Sequence, residues 1–163
     1  MKKSILFFIA LAGVQFLFAQ KVQKIKIEGL VEYIKKADHP LVVTFWATWC
    51  APCVHELPYF QTNIKKYADE KVELVLVSLD FVSDYPKKVV DFLKKNQYQG
   101  SFYWLDESNA DHFCPQVDPK WEGAIPASLF LNPQTGYRSF FERQLTEPQV
   151  ELELKSLVVK EKK

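Results

Sequence analysis

Cys50 and Cys53, separated by Ala51 and Pro52, are the residues of this sequence whose type and spacing best suit chemistry. A thiolate attacks disulfide sulfur, and two cysteines this close can work in sequence, one attacking an external disulfide and the other resolving the adduct. The pair opens a helical pattern, where unpaired backbone N–H groups and the positive end of the helix dipole favour a thiolate. In such a place a cysteine pKa falls from about 8.5 to roughly 3.5–7.5. Cys50, at or just before the first turn, is the expected exposed nucleophile, and Cys53, one turn further in, the resolving thiol. The other chemistry of a C-x-x-C is half of a structural zinc site, which needs a second pair of ligands. His39, His55, His112 and Cys114 form neither an H-x-x-x-H pair nor a second C-x-x-C, so no metal is expected.

The elements around the pair follow from periodicity. Leu41 to Trp46 is apolar except for Thr44 and rich in β-branched and aromatic residues, which suits a strand covered on both faces. From Pro52 to about Ala68, the residues Leu57, Phe60, Ile64 and Tyr67 recur by three and four, an amphipathic helix starting at the cysteines. Upstream, Val22/Lys24 and Ile25/Ile27 suggest a short strand, and Leu30, Val31 and Ile34 a helix that Asp38-His39-Pro40 ends. Downstream come a strand over Val72 to Leu79, a helix over Pro86 to Lys95 with Val89, Val90 and Leu93 inward, and an extended piece from Phe102 to Leu105. This alternation predicts βαβ units and a parallel sheet. Asp106 to Gly123, polar and punctuated by Pro115 and Pro119, reads as a loop with one helical turn. Ala127 to Leu131 reads as a strand, Asn132 to Gly136 as a turn, Tyr137 to Phe141 as its hairpin partner and Glu147 to Val159 as a closing helix. A charged tail, Lys160 to Lys163, follows.

With 48% apolar residues in 163, the chain has material for one domain with a continuous core. Its 21 Lys plus Arg against 20 Asp plus Glu lack the basic excess of a nucleic-acid binder, so no nucleic-acid partner is expected. Lys2 and Lys3 precede a mostly apolar run from Ile5 to Phe18 that ends at Ala19, the layout of a secretory signal peptide. A single-pass anchor is the competing reading, but about twenty apolar residues span a bilayer and this run is shorter. Leu17 is bulkier than the small residue usual two positions before a cleavage site, and no cysteine follows to carry a lipid. The expectation is a signal peptide over 1–19 and one exported, periplasmic or otherwise extracytoplasmic domain over 20–163, with no stable membrane insertion after cleavage. Disulfides persist in such compartments. Three cysteines allow one internal disulfide and leave one thiol over, whereas structural disulfide frameworks use even sets in shorter chains.

Phe45-Trp46-Ala47-Thr48-Trp49-Cys50-Ala51-Pro52-Cys53 resembles the active-site stretch of thioredoxin-like proteins. The continuation Val54-His55-Glu56-Leu57-Pro58 is similar to that of the exported thioredoxin-like reductases, the TlpA/ResA-like group. The resemblance implies a thioredoxin fold, that is, an α/β domain with a central mixed sheet flanked by helices and an insertion before the cis-proline strand. It implies that Ile125-Pro126 is the cis-proline pair that lies beside the dithiol and binds an extended substrate backbone. It also implies that Pro58 bends the active-site helix and that Glu56 is an active-site carboxylate. Lying three residues after Cys53, Glu56 would then hold or deliver the proton that Cys53 loses or gains. The alternative for Glu56 is a solvated residue favouring the helix dipole. One departure stands out: Thr44 occupies the place of the buried aspartate of cytoplasmic thioredoxins. Trp49 is expected beside the disulfide, shaping the docking surface, or else as plain core. Exposed His55 is a candidate to tune the charge of the nucleophile, Cys114 is either a free or intermolecular thiol or a buried inert one, and Trp104, Trp121 and Phe102 line the insertion or fill the core. The implied activity is dithiol/disulfide exchange with protein substrates, with no metal or organic cofactor. Its implied direction is reduction, with electrons from a membrane-bound thiol donor. A thiol oxidase of the same fold, a non-catalytic binding module and a peroxidase are the rivals. The last lacks a P-x-x-x-T/S-x-x-C arrangement at either cysteine.

Overall fold

A computed structural model describes residues 21–159, so the signal segment expected at 1–19 and the tail at 160–163 lie outside the described residues. The elements in chain order are β1 (Gln23–Ile25), α1 (Ile27–Lys36), β2 (Leu41–Trp46), α2 (Ala51–Ile64, continued by a 3-10 turn, Lys65–Tyr67) and β3 (Glu73–Ser78). They continue with α3 (Lys87–Lys95), β4 (Ser101–Leu105), α4 (Ala110–Val117), β5 (Ala127–Asn132), β6 (Tyr137–Phe141) and α5 (Glu147–Val158).

The six strands form one sheet in the order β1-β4-β3-β2-β5-β6. Neighbours from β1 to β2 are parallel, while β5 runs antiparallel to β2 and β6 antiparallel to β5. β2 is buried at every position because it lies in the middle of the sheet with helices over both faces. Its alternate side chains feed two cores. Val42 and Trp46 join Leu57 and Phe60 of α2, Val89 and Leu93 of α3, and Val150, Leu154 and Leu157 of α5. Leu41, Val43 and Phe45 join Ile27, Leu30 and Ile34 of α1 with Phe113, Cys114 and Val117 of α4.

Two expectations need correction. Ile27 belongs to α1, where it is fully buried, and not to a strand shared with Ile25. The stretch from Asp106 to Gly123 contains an eight-residue helix, α4, in place of a loop with one turn. Pro115 removes one backbone donor from α4, but Phe113, Cys114 and Val117 form an apolar stripe whose burial offsets that loss. Pro58 likewise sits inside α2, on its exposed side. The tryptophans and Phe102 at the insertion are core: Trp104 stacks on Tyr85 at 4.3 Å, and Trp121 packs on Phe45, Phe113 and Phe140.

The loops after β2 and β3 leave the carboxyl edge of the parallel part of the sheet, the edge where open α/β sheets carry their sites. Antiparallel β5 starts at that same edge, Ala127 pairing with Phe45, and so brings Ile125 and Pro126 to the loop after β2.

Candidate active site at Cys50 and Cys53

β2 ends at Trp46, and the chain turns through Ala47 to Trp49 with the Cys50 N–H donating to the Ala47 carbonyl at 3.1 Å. Cys50 is the N-cap residue of α2, and its Sγ accepts the Cys53 N–H at 3.3 Å. A side chain at this position satisfies one of the orphan donors of the first turn, and here the acceptor is the sulfur that becomes charged when Cys50 is a thiolate. Cys50 and Cys53 form a disulfide. Both are buried, Cys50 at 5% and Cys53 at 0% exposure, which corrects the expectation of an openly exposed Cys50. The cover comes from the loop before the neighbouring strand, β5. Ile125-Pro126 is a cis peptide, and the Ile125 carbonyl oxygen sits 3.8 Å from Cys50 Sγ. Pro126 is buried and Ile125 half-buried.

Glu56 is fully buried, which excludes the solvated alternative. One carboxylate oxygen accepts the Leu145 N–H at 2.7 Å, and the other has no hydrogen-bond partner among the described residues. Burial pushes its carboxyl up to about 7, against the opposing pull of the Leu145 hydrogen bond and the Arg143 charge. His55, exposed on α2, has Nδ1 2.8 Å from the Gln144 amide and its ring edge-on to Tyr59. The segment joining β6 to α5 therefore contacts the active-site helix twice. Thr44, in the place of the thioredoxin aspartate, is buried and accepts the Ser128 hydroxyl at 3.3 Å.

Trp49 is not core. It is 51% exposed and stacks on Phe81 at 5.8 Å, beside Val82, with Phe81 and Val82 exposed at 65% and 74%. These side chains, with Phe113 and Ile125, line a groove of about 670 Å³. An exposed apolar cluster of this kind is suited to contact with an apolar partner. Cys114 takes no part in a disulfide and is buried, and burial pushes its thiol up to about 11, which disfavours the nucleophilic thiolate.

Asp80 is a site residue that sequence reasoning missed. Buried two residues beyond β3, its carboxylate accepts the Thr48 N–H at 3.1 Å, the Thr48 hydroxyl, and the Ser78 hydroxyl at 2.8 Å. Its carbonyl accepts the Trp104 indole N–H at 2.7 Å. The loop that presents Trp49 and Cys50 is thus tied to β3. The available signal was an acid directly after the strand expected over Val72 to Leu79. Among the described residues no group of three or more His, Cys, Asp or Glu side chains is placed to hold a metal ion, and no helix is long and apolar enough to cross a membrane.

The chain is similar to the thiol-disulfide oxidoreductase ResA of Oceanobacillus iheyensis, with 29% identity over 106 residues, covering 65% of this chain and 50% of that protein. It is 35% identical over 71 residues to the sporulation thiol-disulfide oxidoreductase A of Bacillus subtilis, covering 44% of this chain and 43% of that one. The chain thus spans about half the length of the curated relatives it matches. The crystal structure of StoA from Bacillus subtilis superposes with a TM-score of 0.53 at 28% identity, covering 74% of this chain and 86% of that one. The mixed sheet with helices on both faces is the thioredoxin fold. Residues 17–135, most of the sequence and all of the Cys50 site except what the β6–α5 segment adds, match the AhpC/TSA family, and the chain belongs to that family.

Proposed function

We propose that this protein is an exported, periplasmic or otherwise extracytoplasmic thiol:disulfide oxidoreductase that reduces disulfides of protein substrates through Cys50 and Cys53. The observation that carries the reading is the Cys50–Cys53 disulfide at the mouth of α2, with the cis Ile125–Pro126 backbone against it. The names of the two relatives, both thiol-disulfide oxidoreductases, support it.

In the reduced protein, Cys50 as a thiolate attacks one sulfur of the substrate disulfide. A Cys50–substrate disulfide forms, and the other substrate sulfur leaves as a thiolate that takes a proton from water. Cys53 then gives up its proton, with the Glu56 carboxylate as acceptor, and attacks the Cys50 sulfur. The second substrate thiolate leaves, two electrons have passed to the substrate, and the protein is left as its disulfide. A membrane-bound thiol donor returns it to the dithiol, and no metal or organic cofactor enters any step. An extended substrate segment lies along Ile125–Pro126, and its apolar neighbours enter the groove beside Trp49 and Phe81.

The test is to equilibrate the protein across thiol/disulfide buffers and count alkylated cysteines by mass spectrometry. A Cys50/Cys53 potential near that of thioredoxin, about −270 mV, is expected for a reductase, whereas a value near about −120 mV makes the protein an oxidant. If no reversible disulfide forms at any poise, exchange is ruled out and the chain is a binding module.

A further inference from the structure

The nine residues from Asp118 to Pro126 contain no helix or strand, yet they deliver the Ile125 carbonyl to within 3.8 Å of Cys50 Sγ. A carboxylate from another element holds them. Glu142, the residue after β6, accepts the Glu122 N–H on one oxygen at 2.9 Å and the Ala124 N–H on the other at 2.7 Å. Gly123, between these two donors, has φ 108°, a left-handed conformation that glycine adopts without strain. Turns of this kind bring successive N–H groups round to one side, forming a concavity that accepts an anion. The Trp121 indole N–H donates to the Ala124 carbonyl at 2.9 Å. Ala124 is therefore fastened at both its N–H and its C=O, one residue before Ile125. Among the described residues no Lys, Arg or His forms an ion pair with Glu142, so the loop's backbone donors are its partners.

From this geometry we propose that Glu142 is a positioning residue for polypeptide substrates, fixing the backbone of Ile125–Pro126 along which the substrate lies. Two charge-assisted hydrogen bonds to one carboxylate set both the place and the tilt of that backbone. A polypeptide that aligns along it depends on the setting, while a small disulfide that only meets Cys50 does not. The proposal rests on the dithiol-exchange reading.

The experiment measures second-order rate constants for the pre-reduced protein, by stopped-flow tryptophan fluorescence, with insulin and with hydroxyethyl disulfide. Glu142→Ala is expected to slow insulin reduction about tenfold while leaving hydroxyethyl disulfide within about twofold of wild type. Glu142→Gln, whose carbonyl oxygen still accepts one N–H, is expected to fall between. Glu142 is half-buried at the surface, and melting curves of both variants check that they are folded. Equal losses on the two substrates, or an insulin rate unchanged in Glu142→Ala, would overturn the proposal. The wild-type rate on hydroxyethyl disulfide reports separately on exchange itself. If wild type does not react with it, the functional reading and this inference both fall.

Discussion

A carboxyl group that burial holds near neutral pKa can take or give a proton at the pH where exchange runs, which an exposed glutamate at about 4.3 cannot do well. Glu56 is such a group, fully buried with its carboxyl up to about 7. If it receives the Cys53 proton, Glu56→Gln slows resolution of the mixed disulfide by about a hundredfold, the lower end of what general-base catalysis supplies. Rapid acid quenching followed by mass analysis reads this as accumulated adduct. The wild-type rate should fall as pH drops below about 7, and the glutamine variant should lack that inflection. Position three residues after Cys53 was legible in the sequence. Burial was not, because it depends on Leu145, 89 residues away along the chain, closing over the helix.

At the scale of elements, the β6–α5 segment from Glu142 to Leu145 joins the two halves of the site. It meets Glu56 and His55 of α2 on one side and the loop before Pro126 on the other. A comparable tie holds the opposite edge of the sheet. Glu73, at the start of β3, accepts His39 Nε2 at 2.7 Å, the Tyr33 hydroxyl at 2.5 Å and Ser101 Oγ at 2.5 Å, while His39 Nδ1 meets Asp38 at 2.9 Å. The Asp38 and Glu73 carboxylates raise the His39 pKa above 6.5. The stability His39 adds is therefore fully present below about 6.5 and lost as pH rises through its raised folded value. Its side chain is 35% exposed, so solvent screening keeps the effect below about 1 kcal/mol. Thermal melts of wild type and His39→Asn should differ most near about pH 6 and converge as the solution becomes alkaline. Asp38-His39-Pro40 reads in sequence only as the stop of a helix, because its partner, Glu73, lies in another strand.

For the whole molecule, the same burial that equips Glu56 also costs stability. Its folded pKa is raised above 4.5, so its contribution is fully present in acid and is lost as pH rises through about 7. Between those values wild type should lose about 3 kcal/mol relative to Glu56→Gln, measured by denaturant unfolding of the oxidised proteins at several pH values. A constant difference across that range would mean that Glu56 titrates normally. By itself the sequence determined the parts whose signals are local. The apolar run Leu41 to Trp46, the helix opening at Cys50 and Cys53, and the hairpin around Asn132 to Gly136 are each set by neighbours within one element, and the structure places them as read. Helix α4 escaped because Pro115 masks a stripe that becomes visible only when Phe113, Cys114 and Val117 have a sheet face to cover. Only the tertiary structure buried Glu56 and brought Asp80 and Glu142 to the site. Asp80, Glu142 and Glu56 each bind backbone or side-chain donors brought from other elements, and no pattern along one segment records which remote N–H groups will converge on an acid. Hydrophobic periodicity is a property of consecutive residues, whereas hydrogen-bond partnership and desolvation are properties of the packed chain.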